Sequence, residues 1–380
     1  MSQQLYFSRD TKVYIAVGAN IWEMPVLDGY AFSQATNATE ITLSEMESTA
    51  GISRRGRRAF NDSLAPAEWS FSTYVRPFIA SGVVSGGGAD DDVNHHAVEE
   101  VLWALMVGSA TYTAPVEGVS DAAMTGFVYG TTNTTINFDS SNKSTLGTAE
   151  IYFVLGNANK KIYKLTKAVV NEASIDFDID GLATINWSGF ASNIVEASQP
   201  TATITEKITA TDNFIRNRLS VLSVVPTTRD PDGDTINELA ASYNLTLTGG
   251  NITVSNNITY ITPEELGKVN LPVGHVTGTR SVSGNFTCYL SKDTVTSDQS
   301  SDFWEDIKSI DTVVTNSLAL TFKIGGSSAT PRMEISMPTC HVEIPTHEVA
   351  DVIALTTNFM ALPTTIDETD EATITYVGAV

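Results

Sequence analysis

The residue groups best suited to metal chemistry in this sequence lie in two acidic stretches. In "HHAVEE", His95 and Glu99 are four residues apart, so on a helix they would share one face and could bind a metal ion. No clear third ligand accompanies them, and a solvated helix face is the commoner interpretation of such a pair. In "DPDGDTINEL", Asp230, Asp232 and Asp234 resemble an oxygen-rich calcium loop, although the glycine falls one position early and strand patterns flank the loop. A polar hairpin tip is the favoured interpretation, and we expect neither a metal nor another cofactor.

No stretch carries the residues of a known catalytic motif. The sequence has no glycine-rich phosphate loop after a predicted strand, and its serines and histidines form no recognisable nucleophile motif. A glycoside hydrolase would need two carboxylates across a cleft, an alternative that turnover on glycans would test. We therefore predict that the protein is not an enzyme.

Four arginines are concentrated in "GISRRGRRAFNDS", namely Arg54, Arg55, Arg57 and Arg58. The chain as a whole has 44 acidic and 22 basic side chains and a formal charge of −22. Because affinity for phosphate depends on lysine and arginine, this balance argues against nucleic-acid binding and against an anionic membrane surface. The arginine loop could instead bind carboxylates of a neighbouring acidic subunit, since guanidinium forms bidentate pairs with them. A mobile charged loop is the alternative.

Most of the sequence has the period of β-strands. In "SIDFDIDG", Ile175 and Phe177 alternate with Asp176, Asp178 and Asp180, which predicts a half-buried strand with an acidic outer face. Similar alternation recurs along the chain between stretches rich in Thr, Ser, Asn and Gly. The fold class that this pattern predicts is mainly β.

Two stretches have a helical period instead. In the first, "DDDVNHHAVEEVLWALMVG", apolar residues recur every four positions, with Asp90, Asp91 and Asp92 at the expected N-terminus and Gly108 at the end. The second, "SSDFWEDIKSIDTVV", places Phe303, Ile307 and Ile310 on one face, with Ser301 or Asp302 as the cap. One helix is therefore predicted in each half of the chain.

The two halves of the sequence also share a repeat. "NATEITLSEM" at 37–46 and "NNITYITPEEL" at 256–266 align at a constant offset of 220 positions. A first strand, this ribbon, an aromatic strand, one helix and a group of strands follow in the same order in both halves. This order predicts a duplication, with domains at 1–198 and 214–380 and a polar linker at 199–213.

Cysteine usage and the N-terminal sequence bear on the compartment. Cys288 and Cys340 are the only cysteines, too few for a disulfide framework in a chain of 380 residues. The N-terminus has neither the basic nor the apolar region of a secretory signal, and no apolar run approaches the ~20 residues of a spanning helix. These features favour synthesis in a cytoplasm. They count against the main alternative function, a secreted glycan-binding β-sandwich or adhesin.

The run "RRAFNDSLAPAEWSFSTYVRPF" at 57–78 carries the most specific resemblance to a known family. Together with "NATEITLSEM", "GLATINWSGFA" and "NNITYITPEEL", it resembles the tail tube, or major tail, proteins of long-tailed bacteriophages. The closest type is the large, internally duplicated one from flexible-tailed phages. The resemblance extends over essentially the whole chain.

The resemblance implies a structural role in the virion. Tail tubes are stacked rings of β-sandwich domains, each with a flanking helix, so a chain with two tail-tube-type domains would form a ring as a trimer with pseudo-sixfold symmetry. The implied partners are further copies of the chain and the tail terminator, tape measure and tail tip proteins, and DNA would pass through the channel without specific binding. Candidate channel-lining residues are Asp176, Asp178, Asp180 and Glu343, although an outward-facing position is equally compatible with the pattern. Candidate ring-stacking residues are Arg54, Arg55, Arg57 and Arg58.

Overall fold

Alternating apolar and polar residues place most of the described chain in β-strands. The structure is a computed structural model that describes residues 5–41, 58–79, 94–108, 126–138, 146–203, 211–227, 239–267, 269–293, 298–309, 318–326, 331–366 and 368–378. Within these ranges the fold is mainly β, with two α-helices, in agreement with the sequence patterns.

The first half of the chain contains fourteen of the described strands and one helix. They are β1 (Lys12–Val17), β2 (Asn20–Met24), β3 (Ala31–Ser33), β4 (Thr36–Ile41), β5 (Arg58–Leu64), β6 (Ala67–Tyr74), β7 (Pro77–Ile79), β8 (His95–Ala97), α1 (Glu100–Val107), β9 (Phe127–Tyr129), β10 (Asn133–Asn137), β11 (Ala149–Leu155), β12 (Lys161–Asp178), β13 (Thr184–Ala191) and β14 (Asn193–Glu196).

The second half contributes the remaining described elements. They are β15 (Val221–Pro226), β16 (Tyr243–Asn244), β17 (Leu247–Ser255), β18 (Thr259–Ile261), β19 (Gly274–Val276), β20 (Ser281–Tyr289), α2 (Ser300–Ser309), β21 (Leu318–Ile324), β22 (Arg332–Val342), β23 (Thr346–Glu348), β24 (Ala354–Ala361) and β25 (Thr373–Val377).

Strand pairing follows the same pattern in the two halves. In the first half the antiparallel ladder runs β2–β1–β11–β12–β13–β6–β3. In the second half it runs β16–β15–β21–β22. Both β22 and β23 then pair with β24, and the ladder ends β24–β20–β17. The repeated ribbon occupies matching places, since β4 pairs with β5 and β18 with β19 as separate two-stranded hairpins. The registers therefore match paired strands of one half with paired strands of the other.

The two ladders are joined into one sheet at β12 and β17. Glu172 pairs with Ser255, and the antiparallel register continues to Asp178 opposite Gly249. This junction creates a continuous surface, called here the long sheet, whose strands run β3–β6–β13–β12–β17–β20–β24–β23. A second connection is made by β25, which pairs with β22 of its own half and with β10 of the first half.

The apolar face of the long sheet packs on the outer strands of both ladders. Phe32 on β3 stacks on Phe153 of β11 at 4.5 Å between ring centroids, and Phe322 on β21 contacts Phe286 and Phe359 at 6.2 and 5.4 Å. Most of the buried apolar side chains form one contiguous cluster across both halves. Cys288 and Cys340 are buried in it as free thiols, and burial raises their pKa values to about 11 and about 12.

Each helix packs on the apolar side of the long sheet. Trp103 of α1 meets Trp187 of β13 edge to face at 4.8 Å, and Phe303 of α2 lies 6.4 Å from Phe286 of β20. Gly108 ends α1 in the left-handed conformation, with φ of 89°, as the sequence predicted. Neither helix found in the described ranges is long or apolar enough to cross a lipid bilayer.

The prediction for the start of the first helix was wrong. The helix begins at Glu100, whereas His95–Ala97 is a strand that pairs with Pro77–Ile79. Both histidines of "HHAVEE" are buried in this extended segment, packed from both sides of the strand. Asp90, Asp91 and Asp92 lie outside the described residues. In the second half Phe303 and Ile307 are buried as predicted, whereas Ile310 lies outside the described residues.

The predicted linker is attached to the first half at its described ends. Thr203 accepts a hydrogen bond from the backbone of Ile21 at 2.8 Å. Further along, Asn213 is buried and donates to the carbonyl of Pro77 at 3.1 Å. The backbone of Ala183 then donates to Ile215 at 2.9 Å. Polar side chains of the linker thus bind backbone groups of the first half at both ends. The domain limits themselves stay a prediction.

Candidate functional site

A row of polar side chains crosses the middle of one face of the long sheet, called here the polar face. Asp176 pairs with Asn251, which pairs with Asn285, which in turn pairs with Asn358. Asn251 donates to Asp176 at 2.5 Å, and Asn358 donates to Glu343 at 2.8 Å. This row of side chains therefore connects two of the candidate channel residues, Asp176 and Glu343, across five adjacent segments of the same face.

The charge on this polar face has one sign. Asp176 and Asp178 are exposed on β12, and Asp180 is exposed in the turn that follows. The sequence pattern missed Glu172, which pairs with Ser188 and Ser255, and Glu348, whose position in β23 matches that of Asp176 in β12. No lysine or arginine occurs in the described strands of the long sheet, taking β12 from Glu172 onward. The face is consequently electronegative and has no cation to bind a phosphate.

Both ends of the long sheet are open edges in the described part of the chain. There β3 pairs only with β6, and β23 pairs only with β24. Leu290 donates its backbone N–H to Ile353, and Glu343 donates to Asn358. The backbone N–H and C=O groups of successive strand residues point to opposite sides. Those of Thr346 and Glu348 therefore point toward β24, and those of His347 point toward the open edge. Unpaired backbone groups of this kind are sites for pairing with another strand.

The candidate ring-stacking residues fall in the sequence between β4 and β5. Arg54, Arg55 and Arg57 are outside the described residues. Arg58 is the first residue of β5, opposite Ile41 on β4. Arg58 thus belongs to a two-stranded ladder that is separate from the long sheet.

A buried carboxylate connects the first helix to the C-terminal strand. Tyr376 of β25 donates to Glu99 at 2.6 Å and accepts from the indole of Trp103 at 2.7 Å. Burial raises the pKa of Glu99 to about 7, against the opposing effects of the Tyr376 hydrogen bond and the charge of Arg76. The same burial lowers the pKa of Arg76. This group ties the second half of the chain to the first.

The raised pKa of Glu99 predicts a pH-dependent stability. The folded state holds this proton more tightly than the unfolded chain, so the contribution is complete below about pH 4.5 and is lost as pH rises through about 7. A shift of this size corresponds to about 3 kcal/mol. Glu99→Gln keeps an acceptor for Tyr376 and should flatten the decline in unfolding free energy between pH 5.5 and 8, measured by urea titration. An unchanged pH slope would contradict the assignment, and the exposed Glu305→Gln on α2 is the control.

The metal hypotheses gain no geometric support. His95 lies on β8, whereas Glu99 lies in the turn before α1 and accepts from Tyr376. The calcium-like loop with Asp230, Asp232 and Asp234 lies outside the described residues. Within the described ranges, no group of three or more His, Cys, Asp or Glu side chains could hold a metal ion.

The sequence is similar to known proteins over most of its length. The family described as phage tail tube protein matches residues 65–361, which is most of the chain. Tail tube protein pb6 of Escherichia phage T5 is 29% identical over 396 aligned positions, covering 100% of this chain and 76% of the relative. The chain is accordingly a structural protein of a bacteriophage virion and not an enzyme. It belongs to the phage tail tube protein family.

Proposed function

We propose that three copies of this chain close into a ring, and that stacked rings form the tube through which the viral genome enters the host cell. Each copy would contribute two tandem domains, at 1–198 and 214–380, to a pseudo-sixfold ring. The tube would be assembled in the host cytoplasm and would meet the tail terminator, tape measure and tail tip proteins. One observation carries the proposal. Within the chain, β12 of the first half pairs with β17 of the second half, and the strands at the matching positions of the opposite halves, β23 and β3, are the two open edges.

The counterpart edges define how one copy would pair with the next. When the ladders of the two halves are aligned by their registers, β23 corresponds to the part of β12 that pairs with β17, and β3 corresponds to the middle of β17. Thr346 would then lie opposite Ser33 of the next copy, as Ser174 lies opposite Thr253 within the chain. The contact of β23 with β3 of the next copy is called here the seam. Repeating this pairing at every seam would close the long sheets of three chains into one barrel and leave no open edge.

Closing the long sheets with their apolar sides outward would place the polar face around the channel. Its carboxylates, at Glu172, Asp176, Asp178, Glu343 and Glu348, would repel the phosphates of DNA. Since the strands carry no lysine or arginine, DNA would release few counterions on contact and could pass without binding. This is the basis on which we assign Asp176, Asp178, Asp180 and Glu343 to the channel.

Negative-stain electron microscopy of the concentrated full-length chain tests the proposal. We expect hollow tubes whose end-on averages contain three chains, each with two similar lobes. Compact closed oligomers without an axial channel would contradict it. The assignment of Arg54, Arg55, Arg57 and Arg58 to ring stacking stays a prediction, and the same images of stacked and single rings would test it.

A further inference from the structure

The second half of the chain begins with a segment that packs against the first half. This segment, residues 214–217, is called here the second arm. The ring of Phe214 meets the ring of Tyr74, at the end of β6, edge to face with 5.3 Å between centroids. The guanidinium group of Arg76 lies 5.4 Å from the centre of the Phe214 ring. The first half therefore partly covers an aromatic side chain of the second half.

Backbone hydrogen bonds fix the second arm to the turn between β12 and β13. Ala183 donates its N–H to the carbonyl of Ile215 at 2.9 Å. Asn217 donates its N–H to the carbonyl of Gly181 at 3.2 Å. These two bonds flank an isolated antiparallel β-bridge. The second arm is thus held by its backbone as well as by its aromatic side chain.

The first half begins with an equivalent segment, residues 5–8, called here the first arm. Each arm runs into a 3₁₀ turn of three residues, and one residue then separates the turn from the next strand. Tyr6 packs on Gly156, the residue after β11, where an added Cβ would lie 2.8 Å from the ring. Ile215 packs on Gly325, the residue after the matching strand β21, where an added Cβ would lie 2.7 Å from the side chain. Tyr6 is therefore the counterpart of Ile215.

The first arm lacks the support that the second arm has. Leu5, the counterpart of Phe214, is 68% exposed. Tyr6 is 47% exposed, whereas Ile215 is buried. No residue that the structure describes forms a hydrogen bond with the carbonyl of Tyr6 or the backbone N–H of Ser8. An apolar segment with an available backbone donor and acceptor therefore projects from the first half.

The surface that receives the second arm has a counterpart in the second half of the chain. Val75 donates its N–H to the carbonyl of Ala183 at 3.0 Å, and Leu290 donates its N–H to the carbonyl of Ile353 at 2.9 Å. Each bond extends a matching ladder by one residue pair, that of β6 with β13 or that of β20 with β24. The turn that ends at Ile353 therefore corresponds to the turn that ends at Ala183.

This corresponding surface is exposed. Tyr289, the counterpart of Tyr74, is 39% exposed, and both Val352 and Ile353 are exposed apolar side chains. Among the described residues, none forms a hydrogen bond with the backbone N–H of Ile353 or the carbonyl of Asp351. The chain thus carries both sides of the contact a second time, and in the isolated chain the two sides do not meet.

We propose that the first arm of a neighbouring copy docks on this surface of the second half, as the second arm docks on the first half within the chain. The inference rests on the proposed ring and deepens it. Within the chain, the half that supplies β17 to the junction with β12 also places its arm on its partner. In the ring, the half that supplies β3 to the seam is the one that carries the first arm.

The docked arm satisfies groups that the isolated chain leaves exposed. Leu5 packs against the ring of Tyr289, which removes apolar area of both copies from water. The carbonyl of Tyr6 accepts from the N–H of Ile353. The N–H of Ser8 donates to the carbonyl two residues before Ile353. Pairing these two backbone segments leaves neither with an open edge, and it adds a second contact between the copies that share a seam.

A cross-link between cysteines at Leu5 and Tyr289 tests this contact. Phe214→Cys with Tyr74→Cys is the matched control, because these side chains touch within the chain and the cysteines should cross-link inside it. The two native cysteines are buried and have raised thiol pKa values, which makes them poor targets for a short bis-maleimide. In assembled tubes of the Leu5→Cys, Tyr289→Cys chain we expect a covalent trimer as the largest product on a denaturing gel.

The size of the product distinguishes the alternatives. Covalent ladders longer than three chains would show that the first arm reaches another ring and would overturn the inference. Tubes without any cross-link between chains, in which the control still cross-links, would also overturn it and leave the proposed ring intact. If the wild-type chain forms no rings under any assembly condition, the proposed function fails and the inference falls with it.

A serine substitution gives a second test without cysteine chemistry. Leu5→Ser should raise the protein concentration needed for ring closure at least ~10-fold, because each contact between copies loses buried apolar area. The thermal unfolding midpoint of the monomer should stay unchanged, since Leu5 is exposed there. Phe214→Ser, the matching change inside the chain, should lower that midpoint. Ring closure of Leu5→Ser at the wild-type concentration would overturn the proposal.

Discussion

Lysine at both Asp178 and Asp180 should leave tube assembly intact and slow genome release at least ~10-fold in 50 mM salt. Asp178 is exposed on the face that we assign to the channel, and Asp180 is exposed in the turn that follows β12. A trimeric ring would gain about six possible phosphate contacts, enough to make DNA affinity fall about 10³-fold between 50 and 200 mM salt. The delay should therefore shrink steeply as salt is raised, measured as DNA released per unit time from phage particles that carry the variant.

The choice of these two positions follows from the hydrogen bonds of their neighbour. Asp176 accepts from Asn186 at 2.9 Å and from Asn251 at 2.5 Å, so a lysine there would disturb the junction of the two halves as well as the channel. Asp178→Asn with Asp180→Asn separates loss of negative charge from gain of positive charge. Glu305→Lys, on an exposed part of α2, controls for positive charge added away from the channel face. Normal release from particles with the two lysines would refute the channel assignment.

The acidic face could be predicted because the period of a strand is short. Alternation of Ile175 and Phe177 with Asp176 and Asp178 requires only neighbouring residues, and the structure buries and exposes them in that order. The row that joins Asp176 to Glu343 could not be predicted, since it depends on the registers of strands far apart in sequence. Glu348 was missed for the same reason: its equivalence to Asp176 becomes visible only when β23 is seen beside β24.

Compensating exchanges also hide the similarity of the two halves. Trp69 on β6 lies opposite Gly189 on β13, whereas the matching pair in the second half is Gly284 on β20 opposite Phe359 on β24. In each pair the glycine makes room for the aromatic ring, since an added Cβ would lie within 3 Å of it. The large and the small side chain thus lie on opposite strands in the two halves, and an alignment of letters scores both positions as mismatches.

Pairing with a distant strand explains why the first helix begins later than its sequence pattern predicts. The apolar period of "HHAVEEVLWALMVG" continues through Ala97, but His95–Ala97 is drawn into a ladder with Pro77–Ile79. The short strand buries His96 against Glu100, with 3.0 Å between Nδ1 and the carboxylate. Local periodicity cannot reveal such pairing, because the partner strand is almost twenty residues away.

Proline at position 347 should abolish ring closure while the chain still folds. The backbone N–H of His347 points toward the open edge, where the matched register places Phe32 of the next copy, as Ile252 lies opposite Ile175 within the chain. Proline removes that donor and places its ring in the seam, whereas the pairing of β23 with β24 keeps its own donors. We expect His347→Pro to remain monomeric at concentrations where the wild type forms tubes, as measured by sedimentation.

Two neighbouring variants make the His347→Pro test specific to hydrogen-bonding direction. Thr346→Pro removes a donor that faces β24, so its main effect should be a lower unfolding free energy, by about 1–3 kcal/mol for the lost ladder hydrogen bond. His347→Ala keeps the edge donor and loses only the edge contact of the imidazole with Trp304, at 5.3 Å, so it should still form tubes. If His347→Pro assembles as well as His347→Ala, the seam does not run along β23. In that case the two open edges of the long sheet would need a different explanation, such as a covering segment of the same chain.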